Sequence, residues 1–139
     1  LSYLYKQSIK DTYMLALEEV IAISDDDLEI WSTLVVGFDF DKNLIIQFDY
    51  DRDYDLEDLG YRLLAKIDKE DAFQISSALH IPLVKLPSFF RKELGESSNL
   101  LVPSEIECIF QKILDFVLDF GAHYKLEKTK IQCRFLPEE

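Results

Sequence analysis

The sequence predicts an α+β domain, on three observations. Two runs rich in aromatic and β-branched residues, 31–40 and 44–50, flank Asp41-Lys42-Asn43 and read as an antiparallel hairpin. From Glu105 to about His123, apolar residues recur every three or four positions, the mark of a long amphipathic helix. The length, 139 residues of which 48 % are hydrophobic and 13 % aromatic, suits one domain that hides its own core without disulfides or a metal. The expectation is one acidic domain over 1–139. A small antiparallel sheet with the hairpin at about 31–51 packs its apolar face on N- and C-terminal helices.

Taken in order, Ile9, Tyr13, Leu17, Val20 and Ile21 trace one helical stripe between Tyr5 and Ile23, which Ser24-Asp25-Asp26-Asp27 ends by competing for backbone hydrogen bonds. The hairpin follows. After Tyr54, Leu56, Leu59, Leu63, Leu64 and Ile67 fit a helix from about Asp55 to Lys66, with Gly60 against it. Ala72, Ile75, Ala78 and Leu79 predict a short helix entered through Asp68 and ended before Pro82. Another opens at Leu86-Pro87, runs through Glu93 and stops at Gly95. Ser104 with Glu107 predicts a capping box for the long helix, whose stripe is Ile106, Ile109, Phe110, Ile113, Val117, Phe120 and Tyr124. Leu114 and Leu118 widen that stripe. Lys130 to Leu136 alternates as a last strand able to pair with the hairpin.

The hairpin register can be argued, because a slip of one residue moves every side chain to the other face. A two-residue loop, Lys42-Asn43, would mix carboxylates into the apolar face. A three-residue loop, 41–43, sets Phe40, Phe38, Val36 and Leu34 opposite Leu44, Ile46, Phe48 and Tyr50, with Asn43 suited to a left-handed backbone. The opposite face then carries Asp39, Asp41, Gln47, Asp49 and Asp51, with same-side residues about 6.6 Å apart.

Charge is the most informative feature for function. The chain holds 27 acids and 15 bases, a net charge of −12. Residues 1–60 carry fifteen acids against four bases, a net of −11; residues 61–139 carry twelve against eleven, a net of −1. The densest part, FDYDRDYDLED at 48–58, places six carboxylates around one Arg. Such crowding opposes folding unless solubility or a cationic partner offsets it. Two readings follow: a solvated face, or a docking surface for a strongly basic protein. In the second, Asp39, Asp41, Asp49 and Asp51 form the charged row. Asp53, Asp55, Glu57 and Asp58 continue it, and Tyr50 or Tyr54 anchors the contact unless Tyr50 is needed in the core. Nucleic acid does not fit as a partner, since Lys125, Lys128, Lys130 and Arg134 are few and Glu127 lies among them.

The small size, the absence of catalytic motifs and the acid-rich run FDFDKNLIIQFDYDRDYDLED at 38–58 resemble the immunity proteins that bacteria make against nuclease toxins, including those of contact-dependent growth inhibition. The resemblance implies a role, the blocking of a cognate toxin by tight binding, and carries no individual residue across. With a basic partner, it implies that the toxin is a nuclease.

Site chemistry offers rival readings. Asp49, Asp51 and Asp53 imitate the start of a calcium loop, but Tyr54 stands where Gly is needed and Gly60 where Glu is needed. His80, Cys108, His123 and Cys133 lack the close pairs of a zinc site. His80 reads as structural. His123 reads as a cation at a helix C-terminus, and Cys108 as a buried thiol. No GxSxG, P-loop, HExxH or dinucleotide fingerprint occurs, so neither an enzyme nor a cofactor is expected. An adaptor or oligomer subunit could instead pair through Leu114, Phe116 and Leu118, although a monomer is expected. No apolar run approaches the roughly 20 residues of a membrane span, Lys6, Lys10 and Asp11 interrupt any signal-peptide core, and two widely spaced cysteines suit free thiols in the cytoplasm.

Overall fold

In the computed structural model, which describes residues 15–24, 30–52, 60–95 and 101–130, five strands follow one another across a single antiparallel sheet. They are β1 (Ala16–Ile23), β2 (Ile30–Phe38), β3 (Leu44–Arg52), β4 (Tyr61–Ile67) and β5 (Lys125–Lys130). Between β4 and β5 come α1 (Lys69–Leu79), a 3-10 turn at Leu83–Lys85, α2 (Leu86–Leu94) and α3 (Pro103–Asp119). The α+β expectation holds, with two further strands beside the hairpin.

Period-two alternation puts Leu34, Val36 and Phe38 of β2, Leu44, Ile46 and Phe48 of β3, and Ala65 and Ile67 of β4 on one face, all buried. Facing them are Ile106, Phe110, Ile113, Leu114 and Val117 of α3, spaced at three and four, and Leu86 and Phe90 of α2. Each large apolar side chain so buried contributes about 1.5–3 kcal/mol. At one edge of the sheet, Glu19 of β1 reaches Arg91 of α2 at 3.0 Å and so ties sheet to helix.

α3 starts two residues earlier than Ser104 and Glu107 suggest. Pro103 opens it, and Glu105 accepts the Val102 N–H at 2.9 Å, one half of a capping box. Its end is also earlier than His123. Gly121 turns left-handed (φ 79°), the Ala122 N–H donates to Val117 O at 3.2 Å and the Gly121 N–H to Leu118 O at 2.9 Å, which closes the helix in a Schellman motif. The helices expected through Ala72–Leu79 and Leu86–Glu93 are α1 and α2.

Three elements differ from the sequence reading. The helix expected over 5–23 is, where described, the strand β1; residues 1–14 lie outside the described residues. β1 carries two bulges against β2, one between Ala16 and Glu19 and one between Val20 and Ala22. Each bulge shifts the face by one residue, and Leu17 and Val20 are exposed while Ile21 and Ala22 are buried, so the helical spacing of Leu17, Val20 and Ile21 marks no common face. Gly37 lies across from the first bulge, where a Cβ would stand 2.6 Å from that of Leu15, so only glycine fits. The helix expected over 55–66 is, from Tyr61, the strand β4; residues 53–59 lie outside the described residues. Leu64 is half-buried on the face away from the helices, and apolar residues on both faces hide a strand's alternation. The last described strand occupies 125–130 and pairs with β4; of the strand expected at 130–136, residues 131–136 lie outside the described residues.

Within the hairpin, Phe38, Val36, Leu34 and Ser32 stand opposite Leu44, Ile46, Phe48 and Tyr50. The ladder is thus offset by two residues from the expected one. An even offset preserves the faces, so the core strip is as predicted, but Phe40 is released from it.

Candidate binding surface

The hairpin turn is built around Asp39. Its Oδ1 accepts the backbone N–H groups of Asp41 and Asn43, each at 2.9 Å, and its Oδ2 accepts Asn43 Nδ2 at 3.3 Å. Backbone bonds from the Lys42 N–H to Asp39 O (3.0 Å) and from the Asp39 N–H to Asn43 O (3.1 Å) close a three-residue loop, Phe40-Asp41-Lys42. The loop length matches expectation, one position earlier, and Lys42 (φ 69°), not Asn43, takes the left-handed backbone. Asn43 Oδ1 accepts the Lys69 N–H at 3.1 Å, fastening the turn to the start of α1. At the tip, Asp41 is exposed and Phe40 is 93 % exposed.

At the other end of the hairpin, Asp49 and Arg62 are cross-strand neighbours on β3 and β4. Arg62 Nε donates to Oδ1 at 2.7 Å and its Nη2 to Oδ2 at 2.9 Å, a two-pronged pair with both side chains less than a quarter exposed. On the other, helix-facing side of the same strands an aromatic pile runs from the core outward. Phe110 stacks on Phe48 at 5.6 Å, Phe48 meets Tyr61 at 6.4 Å, and Tyr61 stacks on Tyr50 at 5.0 Å. Lys128 Nζ lies 4.4 Å from the Tyr61 ring centre. Burial, then the negative charge of Glu107, then Tyr50, push the Tyr61 phenol above its usual range. A raised phenol favours the neutral form in the fold, so its stabilisation is present below about pH 10 and lost as pH climbs through the folded value.

These placements revise the carboxylate row. Asp39 and Asp41 lie beyond the last paired residues of β2, about 20 Å of strand or more from Asp49. Asp39 holds the turn, and Asp49 is matched by Arg62 from the same chain. Val35 and Ile45 are buried on the face expected to be acidic, beside Gln47, whose Oε1 is buried without a partner among the described residues. That face is not a sheet of carboxylates. Tyr50 is half-buried and packs on the core's edge, as the alternative for it foresaw. Asp51 pairs with Trp31 in the ladder. Asp53, Tyr54, Asp55, Glu57 and Asp58 lie outside the described residues. Phe40, Tyr61 and Arg62 were missed. The last two would have emerged had 61–67 been taken as a strand, since Asp49 and Arg62 then face each other.

The other candidates are dispersed. Cys108 is exposed, not buried: α3 turns its neighbours Ile106 and Ile109 to the core. His80 (φ 61°) closes α1 in a left-handed conformation. His123 stands beyond the end of α3, and its backbone N–H donates to Asp71 at 3.0 Å. Leu114 is core, Phe116 belongs to an aromatic cluster with Phe89, Phe90 and Phe120, and Leu118 is 47 % exposed. Among the described residues no three His, Cys, Asp or Glu side chains converge as metal ligands, and no helix is long and apolar enough to cross a membrane. No protein-family model matches the chain, and comparison with characterised proteins and with solved structures returned no match.

Proposed function

We propose that this protein is an immunity-type inhibitor that acts in the cytoplasm, binding a basic cognate toxin, a nuclease, and neutralising it stoichiometrically without turnover. One observation carries the reading: −11 of the −12 net charge belongs to residues 1–60. A chain segment so rich in acids attracts a cationic protein and speeds its encounter. A nuclease must present cations to phosphates, and an acidic surface laid over them blocks substrate. The contact set is Asp41 at the turn with Asp51, Asp53, Tyr54, Asp55, Glu57 and Asp58. Asp39 shapes the turn, Asp49 enters only as half of an ion pair, and Tyr50 braces Tyr61.

The test uses the product of the adjacent reading frame, assayed for nucleic-acid cleavage as this protein is added. Cleavage is expected to vanish at equimolar protein, and the association rate to fall as salt is raised. Undiminished cleavage at a large molar excess overturns the proposal.

A further inference from the structure

Phe40 is the most exposed large hydrophobic side chain described, at 93 % against 41–59 % for the others. A phenylalanine at that exposure contributes no packing to the fold. Its backbone, however, is held by hydrogen bonds on both sides. Asp39 accepts three hydrogen bonds within it, two backbone bonds close it, and Asn43 fastens it to Lys69. An aromatic ring carried on a fixed backbone loses little freedom on binding, which is the property of residues that dominate interfaces.

We propose that Phe40 is the anchor of a protein–protein contact, a knob that enters an apolar socket rimmed by lysine or arginine side chains of the partner. The class of partner follows from what surrounds the ring. Asp39 and Asp41 flank it, and the Asn43–Lys69 hydrogen bond brings up Asp68 and, in the first turn of α1, Glu70, both exposed; Lys42 and Lys69 are the cations of the turn and helix start, with Lys66 and Lys125 paired on the neighbouring strands. An apolar centre inside a charged rim is the usual anatomy of a protein interface. The same acids repel nucleic acid and anionic bilayers, the other surfaces that take up exposed aromatic rings. The inference rests on the proposed function for the positive charge of the partner and adds where on the acidic half the contact is centred.

A phage-displayed library of random peptides, panned against the full chain with the Phe40→Ser variant as counter-target, tests this without the partner in hand. Enriched peptides are expected to combine an aromatic or aliphatic residue with lysine or arginine and to bind Phe40→Ser about thirtyfold more weakly, the loss typical of a dominant interface residue. The variant is expected to melt as the parent does, so the loss reports contact and not folding. Basic peptides that bind both proteins equally overturn the Phe40 anchor and leave the acidic-docking reading standing. Enrichment of acidic peptides overturns both. Failure to enrich any peptide counts against the anchor, as does Phe40-dependent binding to phosphatidylcholine–phosphatidylglycerol vesicles, which assigns the ring to lipid.

Discussion

At the turn end of the β2–β3 hairpin, Asp41 is exposed, Asp39 holds the loop, and the aromatic residue at the tip touches solvent on nearly every side. At the open end, Asp49 is clasped by Arg62, and the aromatic residues Phe48, Tyr61 and Tyr50 stack into one another and onto Phe110 of α3. One hairpin, with the same residue types at both ends, thus holds its acid in an ion pair on one face and packs its aromatics on the other at the open end, and exposes both at the turn. The difference teaches that an acid-rich strand sequence is not by itself a binding surface. Whether a carboxylate is available depends on which strand lies beside it, and Arg62 of β4 reaches only the open end.

The comparison is broken most decisively through the aromatics. Phe48→Ala removes a fully buried ring between Phe110 and Tyr61 and is expected to cost about 3–5 kcal/mol. Phe40→Ala is expected to change stability by no more than about 0.5 kcal/mol. Urea denaturation of the two variants side by side measures both. A cost for Phe40→Ala approaching that of Phe48→Ala would show that the tip is part of the core and that the two ends do not differ.

The ion pair sharpens the comparison at the next scale. Arg62→Ala leaves Asp49, 16 % exposed, without the two donors that hold it, and is expected to cost about 1–3 kcal/mol. Because Arg62 has other interactions in the structure, the single variant overstates the pair. A double-mutant cycle with Asp49→Ala isolates it. A coupling near 1 kcal/mol is expected. One near zero would return Asp49 to the set of available acids.

The hairpin, its core face, the three helices after it and the length of its turn were all legible in the sequence, because each rests on local period or on turn chemistry. What was not legible depends on neighbours distant in the chain. The bulges of β1 are set by its pairing with β2, and with Leu17 and Val20 exposed and Ile21 and Ala22 buried they leave no period-two alternation to read. β4 escaped notice because Leu63 and Leu64 are partly buried on opposite faces. With β4 unseen, Arg62 could not be placed beside Asp49, and the charge of the open end was overestimated. Phe40 was misplaced for a different reason. Even offsets of a ladder preserve the faces, so hydrophobic pattern alone does not distinguish a hairpin closed by Phe40 and Leu44 from one closed by Asp39 and Asn43. The distinction lies in the Asp39 side chain, whose acceptors favour closure one residue earlier.

The smallest expected effect tests how firmly the turn is held. Lys42 adopts φ 69°, a conformation in which a side chain other than glycine's is strained. Glycine is free of that strain in the fold but leaves the unfolded chain with more freedom to lose. The first term is the larger at a left-handed position, so Lys42→Gly is expected to raise stability by about 0.5–1 kcal/mol, read as a higher urea midpoint with an unchanged slope. A loss would mean that the Lys42 backbone occupies another conformation in solution and that Asp39 does not fix the loop. In that event Phe40 would have no rigid platform, and the contrast between the two ends of the hairpin would reduce to exposure alone.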